Sequence, residues 1–204
     1  MTIFDCLGLV LASASPRRQE LLRNAGIAFE VQPANIPENP LPGEIPRVFA
    51  ERLAREKAQA VAVLRPQDCM LGADTIVVID DQILGKPRDP ADAARMLRQL
   101  SGRTHQVITG VCLHANGQSA VSSETTSVTM CGISAQEIAD YIATGEPMDK
   151  AGAYAIQGIA SRWIPRIEGD YSNVVGLPVA LVYRMLLEIS SQFSVVSSQK
   201  HPGS

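Results

Sequence analysis

The chain has 204 residues, 46% of them hydrophobic and 19% charged, and a net charge of −3. That balance suits a folded protein with an ample core and excludes a mainly disordered chain. The negative charge and an aromatic content of 4% argue against a nucleic-acid partner, which calls for cations along the backbone path and rings on which bases stack.

The opening residues, MTIFDCLGLVLAS, place Asp5 ahead of a short apolar run and carry no basic segment. No stretch approaches the roughly 18 apolar residues of a membrane helix. The expected compartment is therefore the cytoplasm, with no membrane partner. Cys6, Cys69, Cys112 and Cys131 form no CxxC pair and are expected to be small buried apolar residues. His105, His114 and His201 form no HxxxH or HExxH pattern. A metal, if used, would be held by carboxylates and phosphate oxygens, which points to magnesium or manganese.

In chain order, Leu7 to Ala12 is a short apolar run and predicts a buried strand. Ser15 is placed to cap a helix that begins at Pro16 and stops before Gly26. Phe29 to Glu38 predicts a second extended stretch, and Asn39 to Gly43 a loop. Helical spacing runs from Pro46 to Leu64. Leu71 to Ile79 predicts a strand, which Asp80-Asp81-Gln82 turns into Ile83 and Leu84. Pro90 to Leu100 predicts an amphipathic helix. His105 to Leu113 and Ala120 to Met130 predict a hairpin joined through Asn116-Gly117. Ser134 and Glu137 have capping-box spacing, so a helix is expected there, ending near Gly145. Trp163 to Ile167 predicts a short strand, and Pro178 to Ile189 a final apolar helix. Interleaved strands and helices together with hairpins imply an α/β fold with a mixed sheet and helices on both faces. Residues 1–190 read as one domain, with 191–204 a flexible C-terminal tail.

Five places in the chain could carry chemistry. Ser13-Ala-Ser-Pro-Arg-Arg18 sets two hydroxyls and two arginines at a helix N-terminus. Arg17 and Arg18 oppose the helix dipole there, which makes sense if an anion binds between them and the free N–H groups; a capped surface helix with solvated arginines is the plainer alternative. Asp74, in Gly72-Ala-Asp-Thr75, lies within an apolar strand and needs a partner, whether a metal, a cation, a water or a backbone turn. Lys86, between Gly85 and Pro87, reads equally as a phosphate contact or a surface lysine. Lys57 taken alone reads as part of a solvated helix face with pairs such as Glu51 with Arg55. The stretch from Asp149 to Gly158 is rich in small residues that let a ligand approach, and its Gln157 can read a base edge.

Together these segments resemble the Maf family. The matching pieces are LASASPRR, LAREKA, LGADTIV, LGKPRD, LSGRTHQVITGV, GEPMDKAGAYAIQG and GDYSNVVGLP, in the family's order from about Leu11 to Pro178. The resemblance implies a three-layer α/β/α fold like that of the inosine triphosphate pyrophosphatase group, with two lobes around a cleft. It also implies a divalent metal and hydrolysis of nucleoside triphosphates between the α and β phosphates, and a homodimer. The family's catalytic aspartate matches Asp74, its phosphate-binding positions match Ser13, Arg17, Arg18, Lys57 and Lys86, and an acidic position matches Glu38, a metal ligand with Asp74. Neighbouring positions that are often acidic in relatives are here Asn35 and Pro37, which bears on how many carboxylates hold the metal. Arg17, Thr75 and Gln157 match the branch acting on dTTP and UTP; a paralogous branch acting on 7-methyl-GTP differs at all three. A glutamine amide suits the O and N–H edge of uracil or thymine, whereas a carboxylate suits the guanine edge. The expected function is a dTTP/UTP pyrophosphatase that cleans the nucleotide pool. The rivals are 7-methyl-GTP hydrolysis and a non-enzymatic module linked to septation.

Overall fold

A computed structural model describes residues 8–198. Cys6, His201 and the end of the expected tail lie outside them. The sheet is ordered β2-β1-β3-β5-β6-β7, with a further strand, β4, paired to β3. The strands are β1 (Leu9–Leu11), β2 (Glu30–Val31), β3 (Cys69–Ile79), β4 (Gln82–Leu84), β5 (Thr104–Ala115), β6 (Gln118–Thr129) and β7 (Arg166–Glu168). β1 runs parallel to β2 and β3, and all other pairings are antiparallel, so the sheet is mixed as expected. Both hairpins take two-residue turns with positive φ at each position: Asp80 (50°) and Asp81 (59°), then Asn116 (51°) and Gly117 (74°). Those values match the right-handed twist of the strands they join.

The helices are α1 (Pro16–Asn24), α2 (Pro46–Ala62), α3 (Pro90–Leu100), α4 (Ala135–Ala143), α5 (Tyr171–Val175) and α6 (Val179–Ser198). α2 lies on one face of the sheet. Its Phe49, Leu53 and Val61 pack with Val10, Met70, Ile76 and Val78. The opposite face carries two separate apolar clusters. One joins α1 and α6 to β1 and the first half of β3, through Leu11, Leu22, Leu71 and Leu186. The other joins α3 and α4 to the second half of β3, through Val77, Leu97, Tyr141 and Trp163. These two clusters are the cores of the expected lobes, and the layering is α/β/α.

The N-terminal signals hold in detail. The Ser15 side chain accepts from the Arg18 N–H, and Ser134 and Glu137 form a reciprocal capping box.

Elsewhere the structure moves boundaries. Of the stretch from Phe29 to Glu38 only Glu30–Val31 pairs, because Pro33 and Pro37 lack the N–H a ladder needs. The strand expected at Trp163 starts later, at Arg166; Trp163 closes a 3-10 turn, and Pro165 cannot donate to β6. The last helix does not stop at Ile189 but continues to Ser198, since no Gly or Pro stands between Pro178 and Pro202 to break it. Cys69 and Cys112 are buried as expected, whereas Cys131, just past β6, is exposed.

Candidate active site

Among the described residues, β3 alone has one edge shared between two short partners. β1 pairs with it from Cys69 to Leu71 and β4 from Val77 to Ile79, while β5 lines the other edge from Met70 to Val78. Gly72 to Ile76 are therefore unpaired on the β1 side. Side chains of a strand alternate between faces, so an open edge lets one ligand reach both. Asp74 and Thr75, which point to opposite faces, line the same cleft at this gap. The cleft holds about 620 Å³, and Ser13, Arg17, Arg18, Glu38, Lys57, Asp74, Thr75, Lys86 and Gln157 all line it. The fold thus brings every site residue anticipated from sequence to one place.

Lys57 is where the local reading fails. It is not on a solvated face: it is buried, and its ammonium lies 2.6 Å from both an Asp74 oxygen and a Glu38 oxygen. Glu51, for its part, pairs with Arg47 at 2.9 Å. The cause is the way α2 seats on the sheet. A Cβ on Gly72 would stand 2.0 Å from the Ala54 carbonyl oxygen, and one on Gly110 would stand 2.2 Å from that of Ala50. Two glycines on adjacent strands, facing the small residues Ala50, Ala54 and Ala58, let the helix backbone approach the sheet closely. Lys57, beside Ala58, is carried down onto Asp74.

Burial raises the Asp74 carboxyl above its ordinary value, although Lys57 and Arg18 pull it down. For Glu38, burial also acts upward, but its hydrogen bond to Lys57 and the nearby cations outweigh it, and the carboxyl stays below the usual range. Lys86, on the loop after β4, is exposed and stands 3.9 Å from the second Glu38 oxygen.

Arg18 is a fixed charge. Its Nε donates to the Gly176 carbonyl (2.8 Å), Nη1 to Ser13 Oγ (3.1 Å) and Nη2 to Thr75 Oγ1 (3.0 Å). Burial lowers its pKa, with Asp74 and Glu38 acting against that; a guanidinium nonetheless stays protonated. Thr75 Oγ1 also lies 2.9 Å from Thr109 Oγ1, and Thr109 donates to the Asn173 carbonyl. Asn173 donates in turn to Val107 O and Thr126 Oγ1, each at 3.0 Å. This buried polar seam lies behind Thr75, which lines the cleft. Neither Thr109 nor Asn173 is conspicuous in the sequence; only their pairing across the sheet makes them supports for Arg18.

The far wall is made by the turns and loop between Asp149 and Gln157. Arg17 reaches across to Asp149 at 3.5 Å, linking the lobes. Gln157 is exposed in the cleft, and its amide has no hydrogen-bond partner among the described residues.

The carboxylates in the cleft are hard oxygen donors of the kind a divalent cation takes. Asp74 and Glu38 each turn a carboxylate oxygen to the Lys57 ammonium at 2.6 Å, so the two carboxylates face one point of the cleft. Among the described residues no group of three or more His, Cys, Asp or Glu side chains is placed to hold a metal. That leaves Asp74 and Glu38, and magnesium commonly uses one or two carboxylates with substrate phosphates completing its shell. No helix among the described residues is long and apolar enough to cross a membrane.

Residues 8–189 match the family model described as Maf-like protein. A protein of Koribacter versatilis (strain Ellin345) named dTTP/UTP pyrophosphatase is 63% identical over 180 residues, 88% of this chain and 93% of that one. Proteins of the same name from Syntrophomonas wolfei and Geobacter sulfurreducens are 53% and 51% identical, covering 86% and 90% of this chain and 94% and 97% of theirs. Among solved structures, a nucleoside-triphosphatase (dITP/XTP pyrophosphatase) of Mycobacterium abscessus aligns with a TM-score of 0.43 at 18% identity, over 63% of this chain and 77% of that one.

Proposed function

The chain belongs to the Maf-like protein family, and from that premise we propose that it is a pyrophosphatase hydrolysing dTTP and UTP to the monophosphate and pyrophosphate. The observation that carries this reading is the placement of Asp74: a buried carboxylate at a gap in the sheet edge, 2.6 Å from Lys57 and within the field of Arg18. Arg17, Arg18 and Lys86 surround the same cleft as fixed or mobile cations for a triphosphate.

Asp74 accepts a proton from a water whose oxygen attacks the α-phosphorus. The bond from that phosphorus to the bridging oxygen breaks, and pyrophosphate leaves with the bonding pair. A pKa raised by burial makes Asp74 a better base than an ordinary carboxylate. Lys57 holds the carboxylate in one orientation, and Ser13 and Thr75 hold Arg18. Glu38 and Asp74 are the residues that would hold a divalent cation, which would neutralise charge on the phosphates. On the far wall Gln157 offers one donor and one acceptor to the O4 and N3–H edge of uracil or thymine.

The test is a panel of dTTP, UTP, CTP, 7-methyl-GTP and ATP with magnesium, identifying the phosphate product. Pyrophosphate released preferentially from dTTP and UTP is expected, and Asp74→Asn should bind nucleotide but lose nearly all turnover. Orthophosphate as the product, preference for 7-methyl-GTP, or wild-type turnover in Asp74→Asn would overturn the reading.

A further inference from the structure

Gln157 lies on a loop that belongs to no helix or strand, from Tyr154 to Gly158. Reading uracil against cytosine, which present opposite donor and acceptor patterns at the same atoms, demands that Gln157 be held at one distance and angle to the base edge, because a hydrogen bond weakens steeply outside its geometry. Something must therefore hold this loop.

On one side of Gln157, the Ala155 N–H points to the Tyr141 hydroxyl at 3.4 Å. On the other, the Ile159 N–H donates to the Glu146 carboxylate at 3.1 Å. The two supports are joined, since the Tyr141 hydroxyl donates to Glu146 Oε1 at 2.9 Å. The phenol ring is itself fixed edge-on to Trp163, with centroids 5.3 Å apart. A Cβ on Gly158 would stand 2.1 Å from Glu146 Oε1. Glycine after Gln157 is thus what lets the carboxylate lie against the loop. Glu146 and Tyr141 touch neither Asp74 nor Lys57. The Lys150 ammonium, which lines the cleft, is held by the Glu146 backbone carbonyl, so side-chain replacement leaves that contact in place.

We propose that Glu146, acting with Tyr141, is the positioning residue that fixes the base-reading loop and thereby sets the preference for uracil and thymine over cytosine. The proposal rests on the pyrimidine-triphosphatase reading above and deepens it. Glu146 acts through Gln157 and does not touch the reacting atoms, so its loss shows in KM and selectivity and not in kcat.

The experiment measures pyrophosphate release from dTTP and CTP by wild type, Glu146→Ala, Glu146→Gln and Tyr141→Phe. For Glu146→Ala the expected result is a dTTP KM raised about tenfold, kcat held within about twofold, and a dTTP-over-CTP preference narrowed about tenfold. Glu146→Gln, which keeps an acceptor for Ile159, should recover most of the preference. Tyr141→Phe keeps the ring against Trp163 and loses only the hydroxyl, so it tests the same clamp even if Glu146→Ala does not fold. Unchanged KM and preference in the folded variants, or a fall in kcat alone, would overturn the proposal. Wild-type protein that cleaves neither dTTP nor UTP would instead sink the functional reading on which it rests.

Discussion

Replacing Gly72 with alanine tests how the fold builds its site. The added methyl would stand 2.0 Å from the Ala54 carbonyl oxygen and 2.8 Å from the Ala58 nitrogen. Both are backbone atoms inside α2 and cannot swing aside as a side-chain tip can. Ordinary contact begins near 3.4 Å, so the helix and β3 must part by about 1.4 Å (3.4 − 2.0). Overpacking of this kind costs about 1–3 kcal/mol, and a backbone clash belongs at the upper end. Lys57 moves with the helix. If the shift falls along its 2.6 Å contact with Asp74, the separation opens to about 4 Å, beyond hydrogen-bond reach. A misplacement of that size costs on the order of 100-fold in turnover. Urea unfolding reads the first effect and pyrophosphate release at saturating dTTP the second. Gly132→Ala is the control, because its Cβ would meet nothing within 4 Å. A Gly72→Ala protein with the wild-type urea midpoint and wild-type kcat would refute the argument that glycine seats α2 and so delivers Lys57.

Two further predictions concern pH. Burial raises Asp74 above its ordinary 3.8 and Lys57 opposes it; the base works only when deprotonated, so activity falls as pH drops through that raised value. Lys57→Met removes the opposition, and the acid limb of the kcat/KM profile should move to higher pH; a limb that stays in place would show that Lys57 does not tune Asp74. The same direction means that ionising Asp74 subtracts stability as pH rises above its unfolded value. His105 behaves oppositely. Burial lowers it from 6.5 to about 4, and the ring lies 2.8 Å from the Tyr154 hydroxyl. The folded state binds that proton less tightly than the unfolded chain, so the stability tied to neutral His105 is complete above 6.5 and is lost as pH falls toward 4. The loss is on the order of 3 kcal/mol. His105→Phe should flatten this part of the pH dependence in urea melts at pH 7 and pH 4.5; an unchanged difference between the two would sink the assignment.

The sequence by itself determined most of the local order. Caps, turns and periodicity located α1, α3, α4 and both hairpins, because those signals act over a few residues: Ser15 on the Arg18 N–H, Glu137 back on Ser134, and Asn116-Gly117 in a left-handed turn. The motifs in order also named the residues of the cleft. Their roles came from the tertiary structure. Lys57 reads as surface because its neighbours in sequence are charged, yet it is buried because Gly72 and Gly110, far away in the chain, let α2 come close. The Asp74 gap exists only because β1 and β4 share one edge of β3. Arg18 becomes a fixed charge through Gly176 and Thr75, which are remote from it in sequence. Propensity and capping are properties of neighbours along the chain. Burial, close approach and an open strand edge are properties of pairs brought together across it, and no short window of sequence contains them.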